Sequence, residues 1–455
     1  MVETVRASLR DSKVARWASL WVVAFTMMCA YFISDVMSPL KPLLEQQLGW
    51  SSSEYGLFTS AYGWFNVFLL MLILGGIVLD TMGMRFTGIA AVLVMVVGAG
   101  IKYFAVSTHV LDGATMLGWK AQVMVAAIGF AIFGVGIEVA GITSTKILVR
   151  WFKGREIALA MGLQVATARI GTALALGASP LLAVRFRSVA APLLIGLALL
   201  SVGFLTFLFY CAMDRRLEAS EAAAGAGSGE DAFRIADIGA IVRNRGFWMI
   251  AALCVLFYSA VFPFLKYASD LMVQKFHVRE SLAGIIPSVL PFGTILLTPL
   301  FGNVVDRKGR GASLMILGAC LLIAVHVLFA LPFLTWWPAA LALTLVLGVS
   351  SSLVPSAMWP SVPKIIPEKQ LGTAYAVIFW VQNWGLMGVP ALIGWVLDRF
   401  CRAGTRVVDG RTVVAYDYTL PMAVFAGLAV LALAFAVLLK AEDGRKGYGL
   451  ETRNV

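Results

Sequence analysis

Charge is scarce in this chain. Asp, Glu, Lys and Arg make up 13% of its 455 residues, while 60% are hydrophobic. A soluble domain of that length needs a far more charged surface, so the composition excludes one. Histidine is rarer still, with three residues, and the five cysteines (Cys29, Cys211, Cys254, Cys320, Cys401) are scattered. That odd, unclustered set offers neither a metal-ligand spacing nor a disulfide framework. The sequence has no P-loop, which disfavours ATP-driven work. It also lacks the cluster of histidines or carboxylates that an integral-membrane enzyme would place at one interface. We therefore expect no enzymatic activity, no metal and no other cofactor. Residues 1–16 are polar and basic, without an apolar core or a small-residue cleavage site. They read as a tail, not a signal peptide.

Long apolar runs fill most of the rest. Runs of 18 or more residues without period-two alternation indicate an all-α, polytopic integral membrane protein. Twelve spans are expected. Six run roughly Trp17–Leu40, Glu54–Leu79, Phe86–Ser107, Trp119–Leu148, Glu156–Pro180 and Ala191–Met213. Six more run roughly Phe247–Val273, Ser281–Val305, Ala312–Leu334, Pro338–Pro360, Leu371–Leu397 and Thr419–Lys440. Ser51-Ser52-Ser53-Glu54 offers an N-cap for the second span. The expected domains are a tail (1–16), a six-helix bundle (17–213), a linker (214–245), a second six-helix bundle (246–440) and a tail (441–455). The linker is Ala/Gly/Ser-rich and acidic at its centre. The net charge of +11 would suggest nucleic acid in a soluble protein. Here the basic residues crowd into short loops on the side of the termini. That bias puts both termini and the linker in the cytoplasm, and the expected partner is the lipid bilayer, not nucleic acid.

The halves repeat. Gly76-Ile77-Val78-Leu79-Asp80-Thr81-Met82-Gly83-Met84-Arg85 follows the second span, and Gly302-Asn303-Val304-Val305-Asp306-Arg307-Lys308-Gly309-Arg310 follows the eighth. Both read G-x-x-x-D-x-x-G with a basic end. Arg155 to Gly162 echoes Lys369 to Ala376, and the same offset pairs Arg169 with Asn383. Parallel repeats of six spans, giving two pseudo-symmetric bundles, are a transporter signature with the substrate between the halves at mid-membrane.

Two charges stand where the bilayer makes them costly. Glu138 lies twelve residues before the basic turn Arg150-Trp151-Phe152-Lys153-Gly154-Arg155, and Arg169 lies thirteen after Glu156. At 1.5 Å per residue each sits roughly 15–20 Å from the turn, near the middle of a hydrocarbon core. Side chains lean toward their helix N-terminus, so on antiparallel helices the two heads can meet at one depth. They are either a substrate site or a structural ion pair locking two helices.

With these motifs the chain resembles the major facilitator superfamily, whose loop signature is G-x-L-[AG]-D-[RK]-x-G-[RK]-[RK]. The second copy fits closely. The first departs at Thr81 and Met84. A nearer resemblance is to the lysosomal dipeptide transporter branch and its bacterial relatives. Phe133-Gly134-Val135-Gly136 with Glu138, Trp151 to Glu156, Gly162-Leu163-Gln164 and Ala168-Arg169-Ile170-Gly171 carry it. So do Val261-Phe262-Pro263-Phe264, Trp359-Pro360, Pro367-Glu368, Gln370 to Tyr375 and Gln382-Asn383. It implies that Glu138 and Arg169 hold the two charged ends of a dipeptide. It implies a transporter in the bacterial inner (plasma) membrane, working as a monomer, with proton coupling and an accessory subunit left open. Span five lacks the glycine-rich, proline-containing antiporter pattern of the superfamily, which favours uniport or symport.

Other candidates are weighed against plain packing. Asp35 lines the cavity or caps a helix break before Pro39. Tyr62, Trp64 and Asn66 are cavity or packing residues. Trp359, Trp380, Gln382, Asn383 and Trp384 mix aromatic and polar groups, and at least one of Trp380 and Trp384 is expected to face the cavity. Lys266 and Asp270, four apart on one helix face, either contribute to the site or pair with each other. The loop copies supply gating candidates: Gly76, Asp80, Gly83 and Arg85, then Asp306, Arg307, Gly309 and Arg310. Asp80 is expected near Leu371–Thr373, and Asp306 near Gly154–Glu156, when the cytoplasmic side is closed. The function expected is alternating-access transport of dipeptides or similar zwitterions. The rivals are an organic-anion carrier using Arg169 alone and a non-transporting membrane sensor.

Overall fold

The computed structural model describes residues 12–152, 156–224, 238–367, 370–408 and 411–453. The first span is broken. It comprises α1 (Lys13–Asp35), a 3-10 turn at Ser38–Leu40, and α2 (Lys41–Leu48). Pro39 and Pro42 have no N–H to donate, so the ladder cannot run through. The helix therefore extends past the expected end at Leu40 and stops at Gly49, whose left-handed φ of 62° suits a C-terminal cap.

The second span is broken as well. It begins with α3 (Ser52–Ser60), a 3-10 turn at Ala61–Gly63 and α4 (Trp64–Phe68). The expected cap is present: Ser51 Oγ accepts from Glu54 N–H at 3.1 Å, and Glu54 Oε2 accepts from Ser51 N–H at 2.8 Å. After Leu70 the chain enters α5 (Met71–Ser107). A straight helix of this length would be about 55 Å long, far more than one crossing needs. It folds back at Gly83, where φ is 82° and ψ 169°. Gly75 touches Val139 and Gly98 touches Phe133, so both arms of α5 lie against the next helix. Among the described residues, eleven helical segments are long and apolar enough to cross a membrane. Splitting α5 at Gly83 makes twelve crossings.

The N-terminal half continues with α6 (Ala121–Phe152), α7 (Ile157–Arg185) and α8 (Ala190–Ala224). Helix α8 outlasts its expected end at Met213, and residues 225–237 of the linker lie outside the described chain. After the short α9 (Ile238–Ile241), the second half contains α10 (Arg245–Gln274), α11 (Ile285–Lys308), α12 (Gly311–Ala330), α13 (Trp337–Ile365), α14 (Leu371–Phe400) and α15 (Thr419–Lys446). Among the described residues two antiparallel strand pairs interrupt the helices: β1 (Thr115–Met116) with β2 (Trp119–Lys120), and β3 (Arg402–Val408) with β4 (Arg411–Tyr416). The sequence treats the second as a plain loop, yet two β-branched runs around Asp409-Gly410 carry a hairpin signal.

An even number of crossings brings both termini to one face, called here the terminal face; the other is the distal face. Side-chain bonds between the halves gather toward the distal face. Lys41 Nζ donates to Asp270 Oδ2 at 2.6 Å, and Ser53 N–H to Asp398 Oδ2 at 2.5 Å. A Cβ on Gly394 would lie 2.3 Å from Ser52 O and 2.9 Å from Gly56 Cα. Only glycine permits backbones to approach this closely. Toward the terminal face, Gly76, Gly162 and Gly372 have no such neighbour within 4 Å.

Candidate functional site

Between the halves lies a cavity of about 320 Å³. The N-terminal half lines it with Tyr31, Asp35, Tyr62, Glu138, Arg169 and Thr172. The C-terminal half contributes Tyr258, Phe262, Lys266, Trp359, Phe379 and Gln382. A larger recess of about 1460 Å³ opens on the distal side of the first half, lined in part by Gln46, Lys120 and Arg187. It contains none of the mid-span charges, so the smaller cavity is the functional candidate.

Glu138 is placed by a close helix approach. A Cβ on Gly134 would sit 2.2 Å from Tyr62 O. That glycine brings the second span against α6 one turn before Glu138. Tyr62 then donates its hydroxyl to Glu138 Oε1 at 2.7 Å. The Asn383 amide, from the other half, is also within hydrogen-bonding reach of Glu138. Arg169 is placed in the same way, since Gly171 lets α7 pack onto the Met28 carbonyl of α1. Its guanidinium packs on the rings of Phe262 at 5.1 Å and Tyr31 at 5.7 Å.

The two charges share the cavity but do not pair: among the described residues no ion pair joins Glu138 to Arg169. Of the two readings of their common depth, the structural ion pair is not formed here. Glu138 is held by the Tyr62 hydroxyl, Arg169 lies against two aromatic rings, and both line the cavity.

Two further pairs of intramembrane charges form across the halves. Asp35 Oδ1 accepts from Lys266 Nζ at 2.6 Å, and its Oδ2 from the Thr172 hydroxyl at 2.8 Å. Lys266 also donates to Ser34 O at 3.2 Å. Lys266 and Asp270 do not pair with each other as their spacing suggested. Asp270 takes Lys41, Tyr418 and Gln274 instead. The break in the first span puts an acid and a lysine of α1–α2 opposite a lysine and an acid of α10. Buried charges take the nearest full counter-charge, and the weak intrahelical contact loses.

The remaining candidates divide. Trp359 and Gln382 line the cavity. Trp359 Nε1 donates to Tyr258 OH at 3.1 Å, and Gln382 Oε1 accepts from the Cys254 thiol at 3.6 Å. Asn383 is buried and absent from the lining, and it donates to Phe379 O at 3.0 Å. Asn66 is absent from the lining. Fully buried, it donates to Gly134 O at 3.2 Å and clamps the second span to α6. Trp64 donates to Ser60 Oγ. Neither Trp380 nor Trp384 lines the cavity, against expectation. Trp380 donates to Val67 O at 3.1 Å, and Trp384 packs edge-on against Phe68.

In the loop motifs, Asp80 takes Lys146 at 2.9 Å, within its own half, and not the start of α14. Gly83 makes the fold-back, while Arg85 pairs with Glu218 at 2.6 Å and with Asp214 at 3.7 Å. Gly76 faces open space. Asp306 and Arg307 lie in the last turn of α11, capped by Gly309 at φ 69°. The Arg310 N–H donates to Glu451 O at 3.0 Å, so the C-terminal segment packs on this loop. Residues 153–155, where Asp306 was expected to dock, and 368–369 lie outside the described chain.

A sequence profile described as Major Facilitator Superfamily matches residues 23–270 and 265–453. The chain belongs to the major facilitator superfamily. It is not an enzyme but a multi-pass membrane transporter of that family. A protein from Mus musculus named lysosomal dipeptide transporter MFSD1 is 29% identical over 393 residues, covering 83% of this chain and 80% of that one. The protein of that name from Gallus gallus is 32% identical over 283 residues, covering 60% and 62%. Among solved structures, a mutant of the nucleoside transporter NupG superposes with a TM-score of 0.70 at 16% identity, covering 93% of this chain and 99% of that one. A bacterial homologue of the human lysosomal transporter Spinster gives 0.69 at 13% identity, covering 94% and 98%. These two share the fold.

Sequence reasoning missed Tyr31, Thr172, Tyr258 and Phe262. Spacing held the signal. Tyr31 precedes Asp35 by four, Thr172 follows Arg169 by three, and Tyr258, Phe262 and Lys266 recur at intervals of four. Each set shares a helix face with a residue already singled out. Lys102 was also passed over. It is buried, donates to Ile33 O at 3.0 Å beside the break in the first span, and lies 4.2 Å from the Phe130 ring centre.

Proposed function

We propose that this chain is a carrier that moves dipeptides, or zwitterions of similar size, by rocking its halves about the central cavity. The observation that supports this most is the unpaired opposition of Glu138 and Arg169 across one cavity. A carboxylate and a guanidinium left apart at mid-membrane are costly unless a ligand bearing both complementary charges completes them. Arg169 packs against the rings of Phe262 and Tyr31, and its guanidinium can grip a carboxylate bidentately. Glu138 accepts from an ammonium, with Tyr62 and Asn383 holding it in place. The relatives named dipeptide transporters agree with that ligand class.

The halves are joined distally here, so this state opens toward the terminal face. We assign that face to the cytoplasm of a bacterial inner membrane, from the basic residues beside it. Closing it would carry Asp80 from Lys146 to the positive end of α14 near Leu371–Thr373, and Asp306 toward the start of α7. A monomer suffices for this cycle. Uniport and proton symport are separated by whether a pH gradient drives accumulation in proteoliposomes.

Three variants test the site: Glu138→Gln, Arg169→Gln and the double change. Because the two residues do not pair, each single variant should fold normally yet lose dipeptide flux. The double variant should recover nothing. Restored flux in the double variant would show a structural pair and sink the proposal. Acetylating the peptide's amino terminus should weaken binding to wild type far more than to Glu138→Gln. Equal weakening would remove Glu138 from the site and favour an anion carrier built on Arg169.

A further inference from the structure

Phe262 links Arg169 to an aromatic wall in the second half. The guanidinium lies 5.1 Å from its ring centre, and the Tyr258 ring lies on Phe262 at 5.2 Å and 3°. Both belong to one face of α10. Tyr258 in turn meets Trp359 of α13, at 6.5 Å between ring centres, and Trp359 is backed by Phe379 of α14 at 5.1 Å. All four line the cavity.

The indole N–H of this wall is already engaged, and so are acceptors on Tyr258 and Gln382. Trp359 Nε1 donates to Tyr258 OH, and Gln382 beside it accepts from Cys254. The wall therefore presents mainly ring faces, with the Tyr258 O–H and the Gln382 amide N–H groups at its rim and Arg169 as its nearest cation. The charged pair Asp35–Lys266 lies on the same cavity but is mutually satisfied.

We infer that Phe262, Tyr258 and Trp359 form a side-chain subsite for an aromatic or large aliphatic group on the carboxylate-bearing residue of the peptide. This rests on the peptide reading above, with the carboxylate at Arg169. The side chain of that residue branches one bond from the carboxylate, so it starts beside Phe262. The side chain of the amino-terminal residue branches on the far side of the peptide bond, toward Glu138. Ring faces favour apolar and aromatic groups, and an acidic side chain there would lose its hydration with its nearest cation already engaged by the peptide carboxylate.

Isomeric peptides of equal charge and composition test this on the purified full-length chain. Gly-Phe and Phe-Gly should both raise its melting temperature, with Gly-Phe binding about tenfold more tightly. Gly-Asp should bind more weakly than Gly-Gly. Trp359→Leu should narrow the Gly-Phe to Phe-Gly ratio, and the wild-type ordering stands as a test should that variant fail to fold. Equal or reversed affinities for the isomers, with dipeptide binding intact, would overturn the subsite alone. No stabilisation by any dipeptide would overturn the peptide reading, and the subsite with it.

Discussion

Replacing Asp270 with asparagine should loosen the distal closure. Lys41 and Asp270 are 2.6 Å apart and both side chains are fully buried. Removing one partner of such a pair costs about 3–5 kcal/mol, because a charge is left uncompensated away from water. Lys41 keeps Glu45 at 2.6 Å and the Tyr416 ring at 4.7 Å. The cost should therefore fall near the lower end, about 3 kcal/mol. It applies only while the halves are joined distally. Once they part, water reaches Lys41 and the penalty is relieved. A bias of that size changes the ratio of the two states by about a hundredfold. The assay needs the five native cysteines replaced and a reporter cysteine at Thr59, which lines the cavity. A membrane-impermeant maleimide added at the distal face should label it much faster in the Asp270→Asn protein than in its parent. The triple change Lys41→Met, Glu45→Gln and Asp270→Leu removes every charge of this cluster and should return labelling to the slow rate. Unchanged labelling in a properly folded Asp270→Asn protein would show that the pair does not hold this face closed.

Three further outcomes follow from the same geometry. Gly394→Ala puts a Cβ 2.3 Å from Ser52 O. It should destabilise the distally closed state by about 1–3 kcal/mol and speed labelling in the same assay; a slow rate would mean the helices part easily there. Arg169→Lys retains charge but not the planar fork, so dipeptide affinity should fall at least about tenfold in a calorimetric titration. Undiminished affinity would refute bidentate capture. A cysteine introduced within residues 225–237 should stay unlabelled by an impermeant reagent in intact cells, and external labelling would overturn the assigned topology.

The sequence by itself determined the membrane class, the two six-span halves and the residues Glu138 and Arg169. Those features are local. A run of apolar residues must span because its backbone and side chains have no better solvent, and a charge within it is conspicuous wherever its partner lies. Gly83 and Gly309 could be singled out for the same reason, since each serves a turn within its own loop. Tertiary structure alone decided who meets whom. Glu138 and Arg169 stay apart because Gly134 and Gly171 draw their helices toward Tyr62 and Met28, not toward each other. Asp35 finds Lys266 and Lys41 finds Asp270 because the break in the first span faces α10 across the interface between the halves. Those partners are separated by more than two hundred residues, and no periodicity within either helix encodes which face will meet which. The aromatic wall depends on the same interface. Tyr258 and Phe262 share a helix stripe that the sequence displays, but only packing sets that stripe beside Arg169 and Trp359.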